Sequence, residues 1–175
     1  YQKMKNHLIV NTLYGVDYNP MQTSDGLSHP ELTSDFIYSI NQGISLINYI
    51  GHGNYKTLAD EKILDMDRDI NLIKSENFKL PIWVVGTCSF GQYDGKNSMT
   101  EVLLLKDDGA ISVISTSRGI GETSNINYLK NFFDLIGDYV QGSNDYRLGD
   151  LIRNSKNGSG SQYLFHLFGD PALPL

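Results

Sequence analysis

Four short apolar runs constrain the chain most: HLIVNTLY (7–14), ISLINYI (44–50), PIWVVGT (81–87) and AISVIST (110–116). Each is nearly continuous in apolar residues and rich in Val and Ile, as expected for parallel strands covered on both faces. Segments of helical period separate them. PELTSDFIYSINQGI (30–44) spaces Leu32, Phe36, Ile40 and Ile44 four residues apart and ends near Gly43, a residue suited to stopping a helix. MDRDINLIKSENF (66–78) opens on aspartates and carries Ile70 and Ile73 on one face. SMTEVLLLK (98–106) has a capping box, Ser98 with Glu101 three residues on. A longer helix is expected over 123–140 and a shorter one over 146–156. The alternation predicts an α/β fold: a mostly parallel sheet flanked by helices, joined by crossovers. The polar stretch 14–31 reads as a long loop.

With 175 residues the chain suits one domain with a substantial core. Its net charge of −6 and the lack of a basic face argue against nucleic acid as a partner. No apolar run approaches the roughly 20 residues of a membrane-spanning helix. A single cysteine, Cys88, excludes an internal disulfide framework and, with scattered histidines, gives no zinc site. No glycine-rich phosphate loop follows a strand, so no cofactor is expected. The chain begins at Tyr1 and enters an apolar run almost at once, which reads as a segment of a longer protein.

Two of the predicted strands end on chemically versatile residues. LINYIGHG stops at His52 between two glycines, and PIWVVGTCSFG stops at Cys88. The two lie 36 residues apart, about one strand–helix–strand unit, which brings both to the same carboxyl edge of the sheet on neighbouring strands. An imidazole there can take the thiol proton and leave a nucleophilic thiolate. The flanking glycines permit close approach of a substrate backbone. They also leave the Gly53 amide, with that of Cys88, to face a developing oxyanion. A lone cysteine at a strand end is otherwise a small buried hydrophobe, and a histidine between glycines is otherwise a turn residue. Their joint placement is what points to a dyad. His7, His29 and His166 have no partner at informative spacing. Arg118, just past the fourth run, is placed either to meet a substrate carboxylate or carbonyl, or to form a structural ion pair.

Four motifs, INYIGHG, VVGTCSFGQYD, EVLLLKDDGAISVISTSR and LFGDPALPL, occur in this order. Together they resemble the gingipain-like cysteine peptidases of family C25, and within it the sortase subunit of the type IX secretion system. The resemblance implies a caspase-like three-layer sandwich, with His52 as general base or acid and Cys88 as nucleophile. It implies that residues 1–175 are the C-terminal catalytic part of a two-part peptidase domain. It further implies a pocket lined by Ser115, Thr116, Ser117 and Arg118, in which no aspartate demands a basic residue. The acid that orients the histidine in gingipains would lie upstream; within this chain Asp17 and Asp25 stand in the preceding loop. The implied substrates are secreted cargo proteins, cut before their C-terminal sorting domains, with other secretion-system subunits as partners. The implied location is extracellular or at the outer-membrane surface. A non-catalytic binding domain on the same fold, and another thiol hydrolase such as an amidase, remain as alternatives.

Overall fold

The structure is a computed structural model and describes residues 7–24, 26–75, 79–142, 145–158 and 160–175. Its centre is a four-stranded sheet of β3 (Leu46–Ile50), β6 (Ile82–Gly86), β7 (Ser112–Thr116) and β8 (Phe165–Phe168), in that spatial order. The first three run parallel and β8 pairs antiparallel with β7. Two small hairpins lie outside it: β1 (Met21–Thr23) with β2 (Gly26–Ser28), and β4 (Thr57–Leu58) with β5 (Leu64–Asp65).

Alternation along β6 explains why the sheet is buried on both sides. Trp83 and Val85 enter one core with Ile37 and Ile40 of α1 (Pro30–Asn41), Ile73, and Met99 and Leu103 of α3 (Met99–Leu105). Val84 enters the other with Ile114 and Phe165. The same core takes Tyr128, Leu129 and Phe132 of α4 (Glu122–Val140) and Leu148 and Leu151 of α5 (Leu148–Ser155). Successive side chains of a strand point to opposite faces, so a run with no polar interruption needs helices on both. The result is the three-layer α/β sandwich that the sequence predicts.

Helix boundaries follow local chemistry. Gly43 sits just beyond α1 at φ 90°, a conformation that costs glycine nothing. Ser98 caps α3 reciprocally: its hydroxyl receives the Glu101 N–H, and the Glu101 carboxylate accepts from the Ser98 N–H.

Three expectations need correction. Residues 7–14 form no strand; all are exposed, Ile9 at 96%. An apolar run needs a neighbouring edge to become a strand, and among the described residues this one has none. The fourth strand is instead β8, cut from YLFHLFG. The helix expected over 66–78 shrinks to α2 (Met66–Asp69) and a 3₁₀ turn at Ile70–Leu72, with residues 76–78 outside the described set. The loop at 14–31 contains a 3₁₀ turn at Gly15–Asp17 and the β1–β2 hairpin.

Candidate active site

The β3–β6 register pairs Ile50 with Gly86, and the Gly51 N–H continues the ladder to the Gly86 carbonyl at 3.2 Å. His52 and Cys88 each follow two residues later, at matching positions past adjacent parallel strands. Strands so paired lie about 4.8 Å apart. The site edge is therefore common to both residues.

The backbone of His52 is fixed while its side chain is left to solvent. Its carbonyl accepts from the Ala59 N–H at 2.9 Å and from the Tyr49 hydroxyl at 2.7 Å. Burial pushes the Tyr49 phenol up to about 12, which keeps it a neutral donor across the working range. Gly51 makes room for this brace, because a Cβ there would lie 2.7 Å from the Tyr49 oxygen. Beyond His52 the chain turns back through an Asn54 side chain that accepts from the Lys56 and Thr57 N–H groups. Among the described residues the His52 ring makes no hydrogen bond. Asp17 closes its own 3₁₀ turn and shares no bond with the ring; Asp25 lies outside the described residues.

The hairpin geometry also frees the amide of Gly53. The bridge between Gly53 and Leu58 is built from Asn54 N–H to the Thr57 carbonyl and Ala59 N–H to the His52 carbonyl. That is the non-hydrogen-bonded type of antiparallel pair, so the Gly53 amide points away from the ladder. Among the described residues neither it nor the Cys88 amide donates a hydrogen bond. Both expected oxyanion donors are thus unengaged.

Cys88 is a free, partly buried thiol. Its Sγ lies 3.5 Å from the Ile120 N–H and 3.8 Å from the Ile120 carbonyl, beside the approach to the 19-residue helix α4. The sulfur thus meets both polar groups of Ile120, accepting from its N–H and donating to its carbonyl.

The segment 115–118 divides. Ser115 and Thr116 are fully buried. The Ser115 hydroxyl donates to the Val85 carbonyl at 2.8 Å, and that of Thr116 to the Thr87 carbonyl. Their side chains tie β7 to β6 and are closed to a substrate. Ser117 is 6% exposed, with its hydroxyl 3.1 Å from His166 Nε2. Arg118 alone is exposed, and its guanidinium holds Asp94 through two bonds of 2.9 and 2.5 Å.

Sequence reasoning missed Tyr49, Asp94 and the contact of His166. Tyr49 is three residues from His52, but nothing in the local pattern says that its hydroxyl turns back. Asp94 and Arg118 are 24 residues apart, and His166 reaches Ser117 only through the antiparallel pairing of β8.

No curated protein sequence matches the chain. Solved structures do. The crystal structure of gingipain R (RgpB), titled an Arg-specific cysteine proteinase, is similar at 19% identity and a TM-score of 0.71. The match covers 82% of this chain and 36% of that one. A complex of the pro- and mature domains of Porphyromonas gingivalis RgpB matches at 19% identity and 0.61, over 82% and 37% of the two chains. A third structure, titled a protease, matches at 17% and 0.65, over 78% and 36%. The likeness is one of fold, the caspase-like fold, and the chain spans little more than a third of each of these matches. The model of peptidase family C25 matches residues 1–175. The chain therefore belongs to peptidase family C25, a family of cysteine peptidases.

Proposed function

We propose that these residues are the C-terminal catalytic part of a cysteine endopeptidase that works through a His52–Cys88 dyad. The single observation that carries the reading is the matched register: both residues lie two positions past the ends of adjacent parallel strands. The two unengaged amides beside them complete the chemistry. His52 takes the thiol proton, and Cys88 Sγ attacks the scissile carbonyl carbon. The resulting oxyanion is met by the Gly53 and Cys88 amides. The imidazolium then gives its proton to the leaving amine, and a thioester remains on Cys88. Water, or an amine, attacks the thioester while His52 takes its proton, and the thiol is released. No step calls for a cofactor.

The finer reading is a sortase that removes C-terminal sorting domains from secreted cargo at the cell exterior, in company with other secretion-system subunits. What supports it is the resemblance of the four sequence motifs.

The test uses the full-length protein and a cargo-derived peptide. Cys88→Ala is expected to abolish cleavage and to leave the melting temperature nearly unchanged, since a partly exposed thiol contributes little packing. His52→Ala should be almost as severe, because groups that act as a unit are not additive. Turnover retained by Cys88→Ala removes the dyad from consideration. Mass spectrometry of the product with added amine separates transfer from hydrolysis. Absence of any cleavage by the intact protein, with an unreactive Cys88, favours a binding domain, a reading supported by the His52 ring, which makes no hydrogen bond among the described residues.

A further inference from the structure

Ser89, directly after Cys88, adopts φ 56°, a left-handed conformation uncommon for a residue with a Cβ. Such a conformation persists only where the surroundings impose it, and the surroundings here are specific. The Ser89 N–H donates to the Arg118 carbonyl at 3.1 Å and to the Thr116 hydroxyl at 3.2 Å. The Gly91 N–H reaches the Thr116 carbonyl at 2.9 Å. The Cys88 sulfur rests against Ile120. Each of these ties leads from the turn that carries Cys88 to the last residue of β7 or to the loop that follows it.

Arg118 closes that connection into a ring. Its guanidinium grips Asp94 by both carboxylate oxygens, and one nitrogen also donates to the Ser117 carbonyl at 2.7 Å. Asp94 belongs to the same loop as Cys88, so the path runs from Ser89 through the Arg118 backbone and side chain to Asp94 and back along the chain. The bond from Arg118 holds the Asp94 carboxyl below the usual carboxylate range, so the pair stays ionised at neutral pH. Both side chains are about half exposed. An exposed ion pair adds little to global stability; what this one can do is fix local geometry, through a planar fork that a lysine lacks.

We propose that Asp94 and Arg118 are a positioning pair for the nucleophile, holding the Cys88–Ser89 turn and with it the direction of the Cys88 thiol and amide. Arg118 then serves the site from behind and does not bind the substrate. This rests on Cys88 being the nucleophile.

The experiment compares full-length wild type with Arg118→Ala, Arg118→Lys and Asp94→Asn. It reads kcat and KM on one peptide, the rate of Cys88 alkylation by iodoacetamide, and the melting temperature. The expected result is a fall in kcat of about tenfold or more in Arg118→Ala and Asp94→Asn, since small misplacements near reacting atoms are that costly. KM should stay within about twofold, alkylation should change in both variants, and melting should shift little. Arg118→Lys, which keeps the charge and loses the fork, should fall between. A raised KM at unchanged kcat in the Arg118 variants, with Asp94→Asn like wild type, overturns the proposal in favour of a substrate contact. Kinetics and alkylation like wild type in all three overturn it in favour of an idle surface pair. Cys88→Ala run alongside keeps the two ideas apart. If it still cleaves, the nucleophile is wrong; if it is dead while the other variants are unaffected, only the pair is wrong.

Discussion

A methyl group on Gly53 would lie 2.8 Å from both the Thr57 carbonyl oxygen and the Thr87 hydroxyl, neither of which can retreat, because Thr57 is in the hairpin and Thr87 is buried. Gly53→Ala is therefore expected to destabilise the fold by about 1–3 kcal/mol and to displace the amide next to His52, lowering turnover further than stability accounts for. Gly119→Ala is the control: its added Cβ meets nothing within 4 Å, and thermal melts of the two variants make the comparison. His166 supplies a second test. Burial first, then the positive charges of Lys156 and Arg118, push its imidazole below its ordinary value. Folding then favours the neutral ring, so the folded state binds fewer protons than the unfolded one. Stability is lost as pH falls from about 6.5 towards the folded midpoint. An NMR titration should place the His166 midpoint below that of an exposed histidine, and His166→Gln should remove this part of the acid sensitivity.

Among the elements, α3 makes the sharpest prediction. Ser98 is fully buried, and its hydroxyl both accepts from the Glu101 N–H and donates to the Glu101 carboxylate at 2.9 Å. Ser98→Ala should cost about 1–2 kcal/mol in a denaturant titration. Glu101→Gln, which keeps an acceptor, should cost less. This element was legible in the sequence because both halves of the cap lie within four residues. The strands β3, β6 and β7 were legible for a similar reason: continuous Val- and Ile-rich runs have few other uses. The run at 7–14 carries the same signal and yet forms no strand and stays exposed, since apolar character states a need for burial without naming the partner. β8 was unread for the opposite reason. Its four residues include His166 and follow a glycine- and serine-rich turn, so its identity as a strand comes from the edge that β7 offers. The spacing of His52 and Cys88 was readable because parallel register is nearly fixed by one crossover. The brace from Tyr49 and the Asp94–Arg118 pair depend on how loops fold back, which spacing does not encode.

At the scale of the molecule, one sheet separates two cores, and the catalytic candidates sit on loops at its carboxyl edge, outside both. Sequence change in either core acts on stability, and that includes Leu58 and Phe90, which the site-bearing segments contribute to the first core, whereas change at the exposed positions of 51–59, 87–94 and 116–120 falls on the candidate site. The segment 173–175 is anchored elsewhere. Leu148 N–H bonds to the Leu173 carbonyl, Arg147 bridges to Pro174, and the Tyr139 hydroxyl donates to the Leu175 carbonyl. Tyr139 is in the last turn of α4, whose first turn begins beside Cys88. A helix of 19 residues puts about 27 Å between those two ends. A fluorophore on the 173–175 segment would therefore stand clear of the loops that carry His52 and Cys88, and a second dye near His52 would sit well within the range of energy transfer, giving a direct optical ruler for substrate capture.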